Sequence, residues 1–277
     1  MPRFLLLRLE APLVAFGGEV VDARGVLAEF PGASLLTGLL ANALGTRRGE
    51  TDRLQALQDR LVYAARIDRA GTRITDFQTA QLGKDDRGWT TRGRPEGRAG
   101  GAGSYAGPHL RRRDYDGDLS CAVALRLAPA EAPPTLEDLR DALLRPARPL
   151  FLGRKPCLPS RPLLEPEDTG HRIVEADDLL AALSLLPPAE DSDRTLRVML
   201  PESEPAAPRD EVRPVTDARN WRSGVHGGHR LVRVRTLARP EEPAKRGAAK
   251  GSAKGSAKGS AKGSAKGLAK GLAERPA

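Results

Sequence analysis

The chain has 277 residues, of which 39% are hydrophobic and only 4% aromatic, and it contains 29 glycines and 23 prolines. A chain of this length buries one good core, with room for a small second lobe, and its glycine and proline content disfavours a coiled coil of long uninterrupted helices. The formal net charge of +9 indicates a polyanionic partner, provided that the charge is concentrated where the partner binds.

The first third of the chain predicts a strand followed by two helices. The N-terminal apolar run is short and is followed by Pro12, which is typical of a buried strand rather than a helix. Apolar residues then recur on one helical face in two successive segments, each preceded by a capping residue. The predicted elements are a strand at 3–9, a helix from a Ser34 cap to a Gly45 stop, a helix at 53–64 capped by Thr51 or Asp52, and extended segments at 64–69 and 72–79.

Residues 83–113 are predicted to project from the body as a thumb. The stretch 83–108 is rich in glycine and arginine and has few aliphatic side chains, so it has almost nothing with which to form a core. Residues 84–113 carry eight Lys or Arg against three acids. This concentration of positive charge predicts that an anionic ligand binds near the projection.

The remainder of the body alternates strands with short helices. Thr135 is placed to cap a helix that ends before Pro146, and Gly153-Arg154-Lys155 follows an apolar run and predicts a turn. The other predicted elements are a strand at Leu119–Leu127, a short helix around 174–184, and strands at Leu196–Leu200 and Arg230–Thr236. This order predicts an α+β fold, a modified ferredoxin-like (RRM-like) palm with helices packed on one face of the sheet.

The C-terminal tail carries most of the net charge. Residues 245–277 contain nine basic residues and one acid, which leaves residues 1–244 with a net charge of only +1. Lysine recurs every fourth residue, but the glycine in each Lys-Gly-Ser-Ala unit disfavours a helix by about 0.8–1 kcal/mol relative to alanine. We therefore expect one domain at 1–244 and a disordered tail at 245–277. The tail is either a flexible polycation that raises affinity for nucleic acid or a dispensable low-complexity extension.

Motifs of cofactor and metal chemistry are missing from the sequence. It has no Walker loop, Rossmann fingerprint, nucleophile elbow or zinc-ligand spacing, so no cofactor and no metal are expected. His226 and His229 lack a helix to orient them, which favours a loop pair over a metal site. Cys121 and Cys157 are too few for a disulfide framework, and no segment approaches the roughly 20 apolar residues of a membrane helix. A cytoplasmic location is expected.

Arginine clusters and a few flat side chains predict binding to phosphates and single-stranded nucleic acid. Such clusters are also found on surfaces that are merely solvated. The clusters are Arg47-Arg48, the end of the thumb at Arg111–Arg113, and Arg154-Lys155, and the side chains available for base stacking are Phe77, Trp89 and Tyr105.

RNA cleavage is the catalytic alternative. Without a metal it needs a general base, an acid and a cation, and Tyr105, His109 and Arg111 lie close together in the sequence. The simpler interpretation is that His109, one histidine among arginines, contacts phosphate.

Four separated segments carry distinctive motifs. They are the strand end at 9–17, LEAPLVAFG; the helix and basic pair at 30–48, which includes LLANALGTRR; the segment at 75–79, TDFQT; and the segment at 149–157, PLFLGRKPC. In motif, order and spacing they resemble the Cas-five family of the RAMP superfamily, in the form found in type I-E CRISPR surveillance complexes (Cascade). The resemblance covers about residues 1–165.

The resemblance implies a modified ferredoxin-like palm with an arginine-bearing thumb, in a complex of antiviral defence. Such subunits hold the repeat-derived 5′ handle of the crRNA and cap the backbone, whereas a different subunit cuts the precursor RNA, so no catalytic residue is carried over. The implied partners are the crRNA handle, the backbone and large subunits and, indirectly, target DNA. The implied RNA-contacting residues are Arg47, Arg48, Phe77, Gln78, Arg111, Arg112, Arg113, Arg154 and Lys155.

Two other functions stay open at this point. One is a metal-independent endoribonuclease that processes CRISPR repeat RNA, like the related type I-C subunit. The other is a protein that condenses nucleic acid non-specifically through its lysine tail.

Overall fold

A computed structural model describes residues 1–21, 23–81, 88–89, 95–96, 108–166 and 172–240. Residues 1–239 form one compact unit. The predicted lysine tail at 245–277, most of the predicted thumb loop and the side chains of Trp89 and Tyr105 lie outside the described residues. No helix in the described ranges is long and apolar enough to cross a membrane.

Short helices and many strands make up the described chain. The helices are α1 (Ala33–Ala43), α2 (Thr51–Arg60), α3 (Leu136–Leu144) and α4 (Leu179–Leu185). The strands are β1 (Arg3–Val14), β2 (Gly17–Val21), β3 (Arg24–Leu27), β4 (Leu61–Arg69), β5 (Thr72–Ala80), β6 (Gly88–Trp89), β7 (Pro95–Glu96), β8 (His109–Leu127), β9 (Ile173–Glu175), β10 (Thr195–Pro201), β11 (Glu211–Val215), β12 (Arg219–Asn220), β13 (Val225–His226) and β14 (Arg230–Ala238).

Ten of the described strands form one sheet. Its main path runs β11-β14-β10-β4-β8-β1-β9, and each neighbouring pair on this path is antiparallel. The first half of β8 also pairs with β5 in the antiparallel and with β3 in the parallel direction, and β2 pairs with β3. The predicted mixed α/β architecture is therefore confirmed.

Strand β1 is buried on both faces because it passes between two hydrophobic clusters. Leu5, Leu7 and Leu9 belong to the larger cluster, which also contains the buried side chains of α1, α2 and α3. Phe4 and Leu6 belong to the smaller cluster, with the buried side chains of α4. A strand with two buried faces has a continuous apolar run instead of alternation, and the sequence shows such a run at its N-terminus.

The predicted end of this strand at residue 9 was wrong. β1 continues to Val14, although proline cannot donate a backbone hydrogen bond in a sheet. Pairing with β8 joins Ala11 to Leu119 and Leu13 to Gly117, and Pro12 falls at the gap between these pairs. Asp118, across this gap, has a positive φ of 62°. The proline is tolerated where the ladder is interrupted.

The predicted cap of α1 was also wrong. Gly32 is the N-cap residue, and Ser34 lies inside the helix. The capping bonds come from Asp217, far away in sequence: its Oδ2 accepts from the Ala33 amide at 3.0 Å, and its backbone oxygen accepts from the Ser34 amide at 2.9 Å. The predicted stop at Gly45 is confirmed by its positive φ of 80°.

Helix α2 begins earlier and ends earlier than predicted. Neither Thr51 nor Asp52 caps it, because Glu50 occupies the N-cap position and makes no side-chain capping bond. The helix ends at Arg60, and residues 61–63 already pair with β8. Pairing with the sheet thus ends a helix that the apolar pattern alone extends to residue 64.

The structure confirms most of the later elements and adds four short strands that were not predicted, β9, β11, β12 and β13. Thr135 forms a capping box with Asp138 at the start of α3, and β8, α4, β10 and β14 overlap the predicted strands and helix. β8 is longer than predicted, because it begins at His109 inside the expected thumb. β11 was missed since Pro214 interrupts its short apolar pattern, and proline is tolerated there because β11 is an edge strand.

A buried charge cluster joins the sheet to the segments beside α4. The carboxylate of Asp68 is fully buried and accepts from Arg8 Nη1 at 2.9 Å and from Arg66 Nε at 2.6 Å. Arg8 also donates from Nε to Glu165 Oε1 at 2.8 Å, and the Ala189 amide donates to Asp68 at 3.1 Å. One carboxylate therefore holds β1, β4 and the chain after α4 together.

We expect Asp68→Asn to lower the free energy of unfolding by about 3–5 kcal/mol, because it leaves two buried guanidinium groups without their shared anion. Urea denaturation at pH 7 measures this loss. Asp118→Asn is the matched control, with an expected change within about 1 kcal/mol, since the Asp118 side chain is 76% exposed and asparagine tolerates its positive φ. Equal losses in the two variants would contradict the stabilising role of the cluster.

Candidate functional site

A groove of about 1070 Å³ opens beside α1. It is bounded by α1, the basic pair that follows this helix, the turn at 152–157 and the loop from Thr216 to His226. The charged side chains that line it are Arg47, Arg48, Arg148, Arg154, Arg219 and Asp217. Five guanidinium groups and one carboxylate give this groove a strongly positive character.

Asp217 is neutralised by its own contacts. Its Oδ1 and Oδ2 accept from Arg230 Nε at 2.9 Å and Nη2 at 2.7 Å, and Oδ2 also accepts from the Tyr63 hydroxyl at 2.9 Å and from the Ala33 amide at 3.0 Å. Burial raises the pKa of Asp217. The charge and hydrogen bonds of Arg230 and the hydrogen bonds of the other two donors lower it by more, so the pKa lies below its usual value. The carboxylate stays ionised and fully paired, and it does not cancel the charge of the arginines in the groove.

The Gly153-Arg154-Lys155 turn depends on a close approach of two backbones. The Leu152 amide donates to the Cys157 carbonyl at 2.7 Å, and the Ala15 amide donates to the Leu152 carbonyl at 3.1 Å. Gly153 has a φ of 97°, and a Cβ atom there would lie 1.8 Å from the Ala15 carbonyl oxygen. Only glycine fits this position, which explains why the Gly-Arg-Lys motif begins with it.

Arg154 is held by the protein itself. Its guanidinium donates to the Asp114 carbonyl at 2.7 Å and to the Gly25 carbonyl at 3.3 Å, and it lies 4.9 Å from the centre of the Tyr115 ring. It therefore joins the turn to β3 and β8 at the edge of the groove. Lys155, next in the turn, is exposed.

Arg47 and Arg48 are exposed at the end of the groove beyond α1. Arg148 supports the loop that carries them, because its guanidinium donates to the carbonyls of Gly45 at 2.7 Å and Thr46 at 2.9 Å. The positive φ of Gly45 turns the chain out of α1 at this point. The helix stop and Arg148 together aim the basic pair into the groove.

The loop at 216–226 adds residues to the groove that the sequence did not single out. Gln58 of α2 is buried, and its amide bonds the Arg219 backbone at both ends, donating to the carbonyl at 2.9 Å and accepting from the amide at 3.0 Å. The same Oε1 accepts from Trp221 Nε1 at 3.1 Å. The Arg219 guanidinium lies 5.5 Å from the centre of the Trp221 ring. The pattern Arg-Asn-Trp-Arg at 219–222 is the sequence signal that indicates this loop.

His226 also lines the groove, and its Nε2 lies 3.0 Å from Ser34 Oγ. The pair connects the C-terminal loop to the first turn of α1. His109 lies at the first residue of β8, on the arm. The two histidines therefore belong to different parts of the described structure.

The predicted thumb begins as a two-stranded arm formed by β5 and the first part of β8. Register pairs Phe77 with Arg112 and Gln78 with Arg111, so these pairs point to opposite faces of the arm. The Arg112 guanidinium lies 6.0 Å from the centre of the exposed Phe77 ring, which confirms that they share a face. By the same alternation Arg113 shares the face of Arg111, together with Tyr115, against which Arg154 packs.

The structure thus separates eight of the nine predicted RNA-contacting residues into three groups and leaves Lys155 apart from them. The groove brings Arg47, Arg48 and Arg154 together; one face of the arm carries Gln78, Arg111 and Arg113, on the side of Arg154; and the other face carries Phe77 and Arg112. Lys155 is exposed beside the groove. Residues that line the groove but were missed are Arg148, Arg219, Trp221 and His226.

Comparison with known proteins finds relatives of one kind. A family model described as "CRISPR-associated protein (Cas_Cas5)" matches residues 4–233. The chain is 32% identical over 176 residues to the CRISPR system Cascade subunit CasD of Escherichia coli (strain K12), and the match covers 59% of this chain and 70% of that protein.

Solved structures have the same fold. A chain of a CRISPR RNA-guided surveillance complex superimposes with a TM-score of 0.58 at 22% identity and covers 85% of this chain and 90% of its own length. A crystal structure of a Cas protein superimposes with a TM-score of 0.53 at 25% identity and covers 86% and 95%.

We expect Gly153→Ala to lower the free energy of unfolding by about 2–4 kcal/mol, because the new methyl group meets the Ala15 carbonyl and alanine is strained at this φ. Urea denaturation measures the loss. Gly49→Ala is the control, since a Cβ atom at Gly49 has nothing within 4 Å, and its change is expected to stay within about 0.5 kcal/mol. A Gly153→Ala protein as stable as this control would show that the turn does not need glycine.

We expect Asp217→Asn to destabilise the protein by about 2–4 kcal/mol at pH 7, because Arg230 loses its anion. The pKa of Asp217 is lower in the folded than in the unfolded protein. The stabilising contribution of this carboxylate is therefore fully present above the unfolded-state pKa of about 3.9, and it is lost as the pH falls through the folded-state pKa. The difference between variant and parent should therefore shrink below about pH 4. Urea denaturation at pH 7, 5 and 3 measures the difference in the free energy of unfolding, with the exposed Asp52→Asn as control. A difference that does not depend on pH would contradict the role of the ionised Asp217 carboxylate.

Proposed function

Because the chain belongs to the CRISPR-associated Cas5 family, we propose that it is the subunit of a type I-E CRISPR surveillance complex that holds the 5′ repeat handle of the crRNA without cutting it. The observation that carries the proposal is the groove with five arginines whose one carboxylate is already paired. A groove of this size and charge fits several nucleotides of single-stranded RNA better than an uncharged metabolite.

The fold supports a modified ferredoxin-like palm. The four strands β4-β8-β1-β9 are antiparallel neighbours in this order, and α1 and α2 lie between β1 and β4 in the chain, whereas α3 lies between β8 and β9. This is the strand order 2-3-1-4 of a βαββαβ unit. The arm of β5 and β8 extends from the same unit and supports the interpretation as a thumb.

One face of the arm is placed so that the bound RNA can continue along it from the groove. Arg111, Arg113 and Gln78 share the face of the arm beside Arg154, and Arg154 lines the groove. An RNA strand that leaves the groove past Arg154 meets this face. Phe77 and Arg112 are on the opposite face, where stacking on an exposed ring beside a guanidinium is available to a second segment of nucleic acid or to a partner subunit.

The proposed role is non-catalytic. Among the described residues that line the groove, His226 is the one histidine, and it is paired with Ser34. A metal-independent cleavage site needs a second acid or base opposite the first, and Asp217 is bound by Arg230. The groove therefore offers charge and shape, which favour binding over cleavage.

Assembly completes the proposed role. We expect the backbone and large subunits of the surveillance complex to cover the exposed surface of the arm and to place the crRNA against target DNA, so that this chain serves antiviral defence without contacting a membrane. The lysine tail at 245–277 adds non-specific affinity for nucleic acid or is dispensable.

We expect the full chain to bind single-stranded RNA with the repeat-derived handle more tightly than a scrambled RNA, and to leave it intact with and without a chelator. Arg47→Gln/Arg111→Gln should weaken binding about 10- to 100-fold, since each arginine is expected to contact phosphate. Fluorescence anisotropy measures affinity, and a denaturing gel detects cleavage.

Arg145→Gln/Arg209→Gln is the charge-matched control, because both arginines are exposed and neither lines the groove. Deletion of residues 245–277 should preserve the preference for the handle. A defined cleavage product would indicate the endoribonuclease instead, and loss of all binding with the tail would indicate the condensing protein.

A further inference from the structure

Two arginines of the groove, Arg48 and Arg219, have neither a carboxylate nor a carbonyl partner among the described residues. Arg48, after α1, is exposed, and Arg219, in β12, is half-buried. Arg222 and Arg230 in the same region pair with Asp52 and Asp217. In the ranges that the structure describes, no carboxylate pairs with Arg48 or Arg219, and neither guanidinium donates a hydrogen bond to a described residue.

The two guanidinium groups line the same groove. Burial lowers the pKa of Arg219, and the positive charge of Arg48 lowers it further. Arginine side chains in water separate to avoid such repulsion, because each carries several freely rotating bonds. The position of Arg219 in the same groove as Arg48 therefore needs a cause in the structure.

That cause is the fixation of Arg219. Its backbone is bonded at both ends by the buried amide of Gln58, and its guanidinium is stacked on Trp221, whose indole nitrogen donates to the same amide. Stacking on Trp221 covers a face of the guanidinium and leaves the N–H groups on its edge available. Gln58 and Trp221 are thus positioning residues for a cation.

We propose that Arg48 and Arg219 together bind one phosphate group of the RNA in the groove. A phosphate between two guanidinium groups replaces their repulsion by two sets of charge-assisted hydrogen bonds, and arginine forms such bonds in pairs. The site rests on the proposed function, because it assigns one phosphate of the same bound strand. The phosphate is either an internal diester of the RNA or a terminal 5′ monoester.

The experiment compares the affinities of Arg48→Gln, Arg219→Gln and the double variant for handle RNA by fluorescence anisotropy. Each single substitution should weaken binding by about 10-fold or more, and the double variant should bind little worse than the weaker single variant, because both remove the same contact. The slope of log affinity against log salt should fall by about 0.7 for the one phosphate. Arg209→Gln is the matched control and should bind like the parent.

Neutral methylphosphonate linkages locate the phosphate. We measure the affinity of the parent protein and of Arg219→Gln for RNAs that carry one such linkage at each position in turn. The same measurement compares RNAs with a 5′-phosphate and a 5′-hydroxyl. Loss of the charge at one position, by an internal methylphosphonate or by a 5′-hydroxyl in place of the 5′-phosphate, should weaken binding to the parent by about 10-fold. The same change should have no effect on binding to Arg219→Gln. Thermal unfolding of the free protein should show Arg48→Gln at least as stable as the parent, since the substitution relieves repulsion and Arg48 is exposed.

The outcomes separate the two proposals. If the parent binds handle and scrambled RNA equally, the proposed function fails, whichever RNA the variants prefer. If the parent prefers the handle but both single variants bind it like Arg209→Gln, or if no single phosphate loses its effect in Arg219→Gln, the phosphate site is wrong and the proposed function stands.

Discussion

Asp217 draws together three parts of the chain that lie far apart in the sequence: the first turn of α1, Tyr63 in β4 and Arg230 in β14. Burying a carboxylate is costly unless donors surround it, and here a guanidinium, a hydroxyl and a helix N-terminus do so. The helix and the C-terminal loop therefore have one relative position, and the groove is the space between them. Trp221, Arg219 and His226 are carried into the groove by the loop that this carboxylate anchors.

The long strand β8 connects the groove to the arm. Its second half is the middle of the buried sheet, paired with β1 and β4, and its first half leaves the core with β5. Because the strand is continuous, the core fixes the direction of the arm at its base. The alternation of side chains along it also divides three consecutive arginines between two faces, so they cannot all contact one ligand strand in the same way.

Charge placement matters more than total charge in this protein. Residues 1–244 carry a net charge of only +1. Many of their arginines form salt bridges with carboxylates or hydrogen bonds with carbonyls, as Arg8 and Arg66 do with Asp68. Arg148 and Arg154 are likewise used to hold backbone turns. Among the groove arginines, Arg48 and Arg219 have no such partners in the described residues and remain available for a ligand.

Local sequence signals were enough to predict several elements. These include the apolar run of β1, the glycine stop of α1, the capping box of α3 and the basic pair and Gly-Arg-Lys turn, whose motifs also indicated the family. Which of these residues meet depends on contacts between distant segments of the folded chain. The cap of α1 comes from a residue 184 positions away, the end of α2 from pairing with β8, and the cation beside Arg48 from a loop held by Gln58. Local patterns report on neighbours along the chain, whereas a buried carboxylate, a strand register and a pair of like charges are set by contacts between distant segments, which no local pattern records.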